Sequence, residues 1–239
     1  GIVNYATPIG PLFTVKTSIF KNCNTGVRIL NSGIVIDNCS FTLNDIGLLI
    51  DNALQNSKII NSTNISMNNV GLRVISSPTA SQNIYVEKSN MHRNQIAVDN
   101  YNSAMVFKCT VFGENMNAIN SNDGLINLSR NLILVNNAVG STVFGSDNTF
   151  VNNSVGINLF KSELYLENGA NNFISATTPY NFILGTIPYR FAAPYLNFTT
   201  FPVSLKANGN FWNPAPANLL TAGPNYFNIA GDNGGSFLI

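Results

Sequence analysis

At 239 residues the chain has room for one large domain or one repeat array. A net charge of +1 with only 10% charged residues excludes a basic field for nucleic acid and a polybasic run for anionic lipid. Polarity comes instead from 41 Asn residues, while the 45% apolar content excludes the sparse composition of a disordered chain.

No apolar run approaches the roughly 18 residues of a membrane span, so no membrane insertion is expected. The chain opens on Gly1, with neither an initiator Met nor a signal peptide, and stops at "GGSFLI". That reads as a processed or excised piece of something longer. Cys23, Cys39 and Cys109 show no CxxC or metal spacing. Neither a disulfide framework, a zinc site nor any other cofactor is therefore expected, and buried free thiols are the simplest reading.

Along the chain one phrase returns. A small residue recurs at Gly26, Gly47, Gly71, Ala97, Ala118, Gly140 and Gly156, spaced 21, 24, 26, 21, 22 and 16 residues apart. Six residues before each stands a large apolar side chain: Phe20, Phe41, Ile65, Met91, Phe112, Leu134 and Phe150. Three before stand Cys23, then Asn44, Asn68, Asn94, Asn115, Asn137 and Asn153. A further strand is expected eleven before, at Val15, Ile36, Ile60, Val86 and Phe107.

Alternation such as "GLRV" and "GVRI" has period two, which means short strands with one face inward. Asn, Ser, Thr, Asp and Gly separate them, as turn formers do. No stretch carries convincing helical periodicity. A unit of about 22 residues cannot bury its own apolar face, but stacked units can, strand edge to strand edge. Equivalent side chains then form columns. The Asn column predicts an amide ladder at a bend, each side chain giving to one neighbour and taking from the other. Asn also suits left-handed backbone there, and the Gly/Ala column suits a tight corner with little room for a side chain. The 16-residue step to Gly156 is short for a full coil.

"FTLNDIGLLI", "ISMNNVGLRV" and "FVNNSVGINL" resemble the short repeats of the right-handed parallel β-helix family, the pectin-lyase-like fold. The resemblance covers about residues 12–178. It implies an all-β, single-stranded right-handed solenoid of about seven or more rungs, of the secreted bacterial type. It implies no single activity, because that fold hosts lyases, hydrolases, epimerases, spikes and adhesins.

From Pro179 the composition changes. Seven of the ten Pro residues lie there, among many aromatics and few charges. Residues 1–178 therefore read as the repeats and 179–239 as an irregular cap of the same domain, shielding a sheet edge. "NGNFWNPAP" is similar to the Asn-aromatic-Trp stretch that closes bacterial domains of this kind. The rival reading makes these aromatics, Trp212 included, a sugar-stacking platform.

In that fold, lyases are expected to use acidic clusters with calcium and an Arg or Lys base, and glycosidases two or three close Asp residues. No column here brings two carboxylates together. Instead, opposite charges fall on adjacent coils: Lys16 with Asp37, Glu87 with Lys108, Arg93 with Glu114 and Arg73 with Asp99. That is ordinary cross-strand pairing on a solvated face. If a catalytic or ligand site exists, its candidates are Arg73, Glu87, Lys88, His92, Arg93, Asp99 and Glu114. His92, the sole histidine, is expected at a solvated turn.

Three functions stay open. The first is a non-catalytic module of a secreted or cell-surface protein, a rigid spacer or adhesive face contacting glycans or a partner protein. The second is a polysaccharide lyase or glycosidase. The third is an assembly partner docked by an edge or flat face to a surface or secretion complex.

Overall fold

The computed structural model describes residues 1–5, 12–75, 83–122, 125–134 and 142–151, with the short strand segments 157–160, 164–165, 172–174, 182–185, 205–206, 211–213 and 227–228 beyond them. The expected ladder residues Asn137 and Asn153 and the column residues Gly140 and Gly156 lie outside the described residues.

The described chain is an all-β parallel solenoid of about five turns, without a helix. Each coil runs through three strands. The first sheet stacks Ile2–Tyr5, Thr25–Leu30, Ile46–Asp51, Val70–Ile75, Ile96–Tyr101 and Asn117–Asn122. The second begins Phe13–Lys16, Ile34–Asp37, Ser57–Ile60, Asn83–Glu87, Ala104–Lys108 and Leu125–Ser129. The third begins Ile19–Lys21, Ser40–Thr42, Asn64–Ser66, Asn90–His92, Val111–Gly113 and Leu132–Leu134. Because every neighbour is the same strand one coil on, all the pairings are parallel.

Period-two patterning fixes which side faces in. Val27, Leu48, Leu72, Val98 and Ile119 are in register on the first sheet and buried. Phe20, Phe41, Ile65, Met91 and Phe112 do the same on the third. Phe20 and Phe41 stack with ring centroids 5.0 Å apart and planes 13° from parallel. Burying one such side chain contributes about 1.5–3 kcal/mol, so the columns are the main stabilising term.

Two of the expected columns need correction. The third-sheet column continues from Phe112 to Ile133, with Leu134 opposite Gly113 instead. The second-sheet column runs Ile36, Ile59, Val86, not through Ile60. An extra bend residue explains the latter: Asn61 and Ser62 both take positive φ, 54° and 63°, where other coils spend one residue. Counting back eleven residues from Gly71 therefore falls one short of Ile59. A short coil is present at this place: Asn148 follows its stacking partner Asn131 by 17 residues, against 21 from Thr110 to Asn131, although Gly140 and Gly156 themselves are outside the described residues.

The Gly/Ala column is not at a corner. Gly26, Gly47 and Gly71 lie inside first-sheet strands, at φ values open to other residues. Their smallness comes from the next coil: a Cβ on Gly47 would stand 2.6 Å from the carbonyl oxygen of Gly71, and one on Gly26 2.6 Å from that of Gly47. Ala97 and Ala118 hold the same column further on, fully buried.

Of residues 179–239 two described pieces extend sheets already named and two belong to a further sheet. Phe211–Asn213 pairs with Asn172–Ile174 on the third, Leu205–Lys206 with Leu164–Tyr165 on the second, and Phe227–Asn228 with Phe182–Gly185 in a separate three-stranded sheet. The remainder of the expected cap is outside the described residues.

Candidate functional site

The bend from third to first sheet carries the amide ladder. The Asn44 side-chain nitrogen donates to Asn68 Oδ1 at 3.0 Å and to the Phe20 carbonyl of the previous coil at 3.0 Å. Asn68 repeats this with Asn94 and Phe41, and Asn94 with Asn115 and Ile65, all between 3.0 and 3.1 Å. Each Oδ1 also accepts the backbone N–H of the preceding ladder residue; even Cys23 donates its N–H to Asn44 Oδ1 at 2.9 Å. Buried amides survive here because both ends are satisfied.

The ladder Asn residues are not the left-handed ones. Positive φ falls one residue earlier, on Asn22, Leu43, Met67, Arg93 and Glu114. Leu43 and Met67 are exposed as a result.

A second polar column, on the bend from second to third sheet, escaped the sequence reading: Cys39, Thr63, Ser89, Thr110, Asn131 and Asn148. It is bonded across coils in two stretches, separated by Ser89, whose hydroxyl donates to the Glu87 carbonyl of its own coil at 2.9 Å. The Cys39 N–H donates to Thr63 Oγ1 at 3.3 Å, and the Thr110 N–H to Asn131 Oδ1 at 3.0 Å. Asn131 then donates to Asn148 Oδ1 at 3.0 Å and to the Phe107 carbonyl at 3.0 Å. The signal was present as a column of small polar residues, but mixed chemistry hides what a run of Asn displays.

The seven candidate site residues are distributed around the coil. Arg73 and Asp99 are in register on the outer face of the first sheet. Arg73 meets Asp99 Oδ2 at 3.0 Å through both Nε and a terminal nitrogen. Asn120, the next residue in that column, donates to Asp99 Oδ1 at 2.8 Å. Only 2% of Asp99 is exposed, so the carboxylate depends on these partners. Arg28 and Asp51 make a looser contact on the same face, 3.5 Å. Beside Arg28, an open cavity of about 490 Å³ reaches Val3, Asn22 and Thr25.

Arg93 and Glu114 pair at 2.7 Å on the bend from third to first sheet, both well exposed. The hydrogen bond from Arg93, then its charge, hold the Glu114 carboxyl below the usual carboxylate value, and the same pairing raises Arg93. His92 is on the outer side of the third sheet, level with Ser66 and Gly113, not at a turn. Glu87 is level with Lys108 on the second sheet, yet no salt bridge joins them among the described residues, and Lys88 follows at the bend with φ 48°.

The seven thus form two ion pairs, a lone imidazole and a Glu–Lys step, each on a different face or corner. Among the described residues no group of three or more His, Cys, Asp or Glu could hold a metal ion. All three cysteines are free; Cys39 is buried, Cys23 partly so, and Cys109 is exposed, against the expectation of buried thiols. No protein-family model matches the chain, and neither the curated proteins nor the solved structures yield a match.

Proposed function

We propose that the chain is a stiff, non-catalytic display module: a rod that holds its side-chain faces at fixed spacing for contact with glycans or a partner protein. The observation that supports this best is the unbroken amide column Asn44–Asn68–Asn94–Asn115, in which every coil is bonded to the next through buried side chains as well as backbone. Such a column resists shear between coils, and shear is the motion by which a solenoid would bend. The coils present their outward side chains in register at a fixed pitch along the axis, which suits an extended partner. The likeness of the repeats to the pectin-lyase-like right-handed type adds export and exposure at a cell surface to this reading. It also supplies the rival, a polysaccharide lyase or glycosidase.

Turnover separates the two. Incubated with neutral and acidic polysaccharides, with and without calcium, the purified chain should generate neither new reducing ends nor unsaturated products. Either product would transfer the assignment to an enzyme, and Asp99→Asn would then be the first variant to assay, because Asp99 is a buried carboxylate held by an Arg and an amide.

A further inference from the structure

Ion pairing is uneven around the solenoid. Lys16, Arg28, Arg73 and Arg93 each meet a carboxylate within 3.8 Å. Among the described residues Lys21, Lys58, Lys88, Lys108 and Arg130 do not. Lys21 is on the third sheet; the other four share the second sheet and the bend that follows it. All four are exposed.

The backbone holds them in line. Lys88 donates its N–H to the Lys108 carbonyl at 3.0 Å, and Cys109 donates to the Ser129 carbonyl at 3.1 Å, so three consecutive coils are bonded at this corner. Lys88, Cys109 and Arg130 occupy one column, with φ of 48°, 52° and 56°. One coil rises about 4.8 Å, which puts Lys88 and Arg130 roughly 10 Å apart along the axis, with Lys108 on the coil between. Next to this row, Tyr85 is in register with Lys58 and Val106, its ring half-buried on the outer side of the second sheet. Two acidic residues border the row: Glu87, level with Lys108 but not paired with it, and Asp147, which follows Arg130 in the bend column with φ 54°. Four cations against two carboxylates leave the corner net positive.

We infer that this corner binds an anionic glycan strand lying parallel to the solenoid axis. The cations recur at the pitch of the coils, matching a polymer whose acidic groups recur per sugar or per disaccharide. Charge complementarity supplies attraction and orientation, and the Tyr85 ring offers an apolar face for a sugar ring. The inference rests on the display-module reading and names the partner of one face.

The test uses the whole chain and three immobilised probes: heparin (sulfated), hyaluronate (carboxylated) and dextran (neutral). Heparin binding at low salt is expected, weakening steeply by about 0.5 M salt as screening shortens to a few ångströms, with no response on dextran. Hyaluronate binding would widen the ligand class to carboxylated glycans, and its absence would narrow it to sulfated ones; both support the proposal. The K88Q/K108Q/R130Q variant should lose affinity on the order of tenfold or more, K88R/K108R/R130K should keep it, and Lys21→Gln, away from this corner, should behave as wild type. No binding to either anionic glycan, equal binding to dextran, or a triple variant that binds as wild type would overturn the proposal. Small-angle scattering on the same samples separates the two readings. An elongated particle that ignores glycans overturns this inference alone, whereas a compact one overturns the display module beneath it.

Discussion

The Asn68 side chain makes four hydrogen bonds in a space that water does not enter. It donates to the Phe41 carbonyl and to Asn94 Oδ1, and accepts from the backbone and the side-chain nitrogens of Asn44. Asn68→Ala strands several of those partners at once. With each buried, unsatisfied group costing about 1–3 kcal/mol, a loss of about 3 kcal/mol or more is expected in urea unfolding; a change below about 1 kcal/mol would mean the ladder is ornamental. The Arg93–Glu114 pair behaves differently, because both side chains face water. Glu114 titrates below its unfolded value, so its contribution is present above the ordinary carboxylate range and is lost as pH falls through the lower, folded value. Exposure keeps the effect on stability small. In Arg93→Gln the Glu114 carboxyl should return upward to the ordinary range by carboxyl NMR titration, and an unmoved titration would refute the assigned cause.

Strands and bends obey different constraints, which is why one was legible and the other partly was not. Period-two patterning identifies the first-sheet strands and their inward residues from sequence, because one-residue slips would expose a whole column. Bends carry no such penalty. Asn61 and Ser62 take two left-handed residues where Asn38 and Lys88 take one, and the count from Gly71 misses Ile59 for that reason. The Gly/Ala column is short of room as expected, but within a strand and not at a corner: the approach of the next coil, not backbone conformation, keeps its side chains small. Gly47→Ala should therefore lose about 1–3 kcal/mol, the usual cost of overpacking. Gly113→Ala, whose Cβ would meet nothing nearer than His92 Cβ at 3.8 Å, should stay within about 0.5 kcal/mol of wild type in thermal unfolding. Equal effects at the two sites would remove the steric account.

Across the whole molecule, coil stacking converts a local repeat into long columns and divides the surface into faces of distinct chemistry. The turnover assay and the glycan-binding series belong to this scale, since each asks what a continuous face does rather than what one residue does. Stacking partners such as Arg73 with Asp99 and Arg93 with Glu114 could be read from spacing, because equivalent positions in successive coils must meet. The sequence by itself determined the parallel stacking, the inward columns and the first amide ladder, since each follows from periodicity and from the need to bury apolar strands and satisfy buried amides. Only the tertiary structure decided which bend residues turn left-handed, that hydroxyls and amides share a second polar column, and that four of the five unpaired cations among the described residues lie on the second sheet and its following bend. Those outcomes depend on how many residues each bend spends, and a bend exposed to water leaves almost no periodic trace.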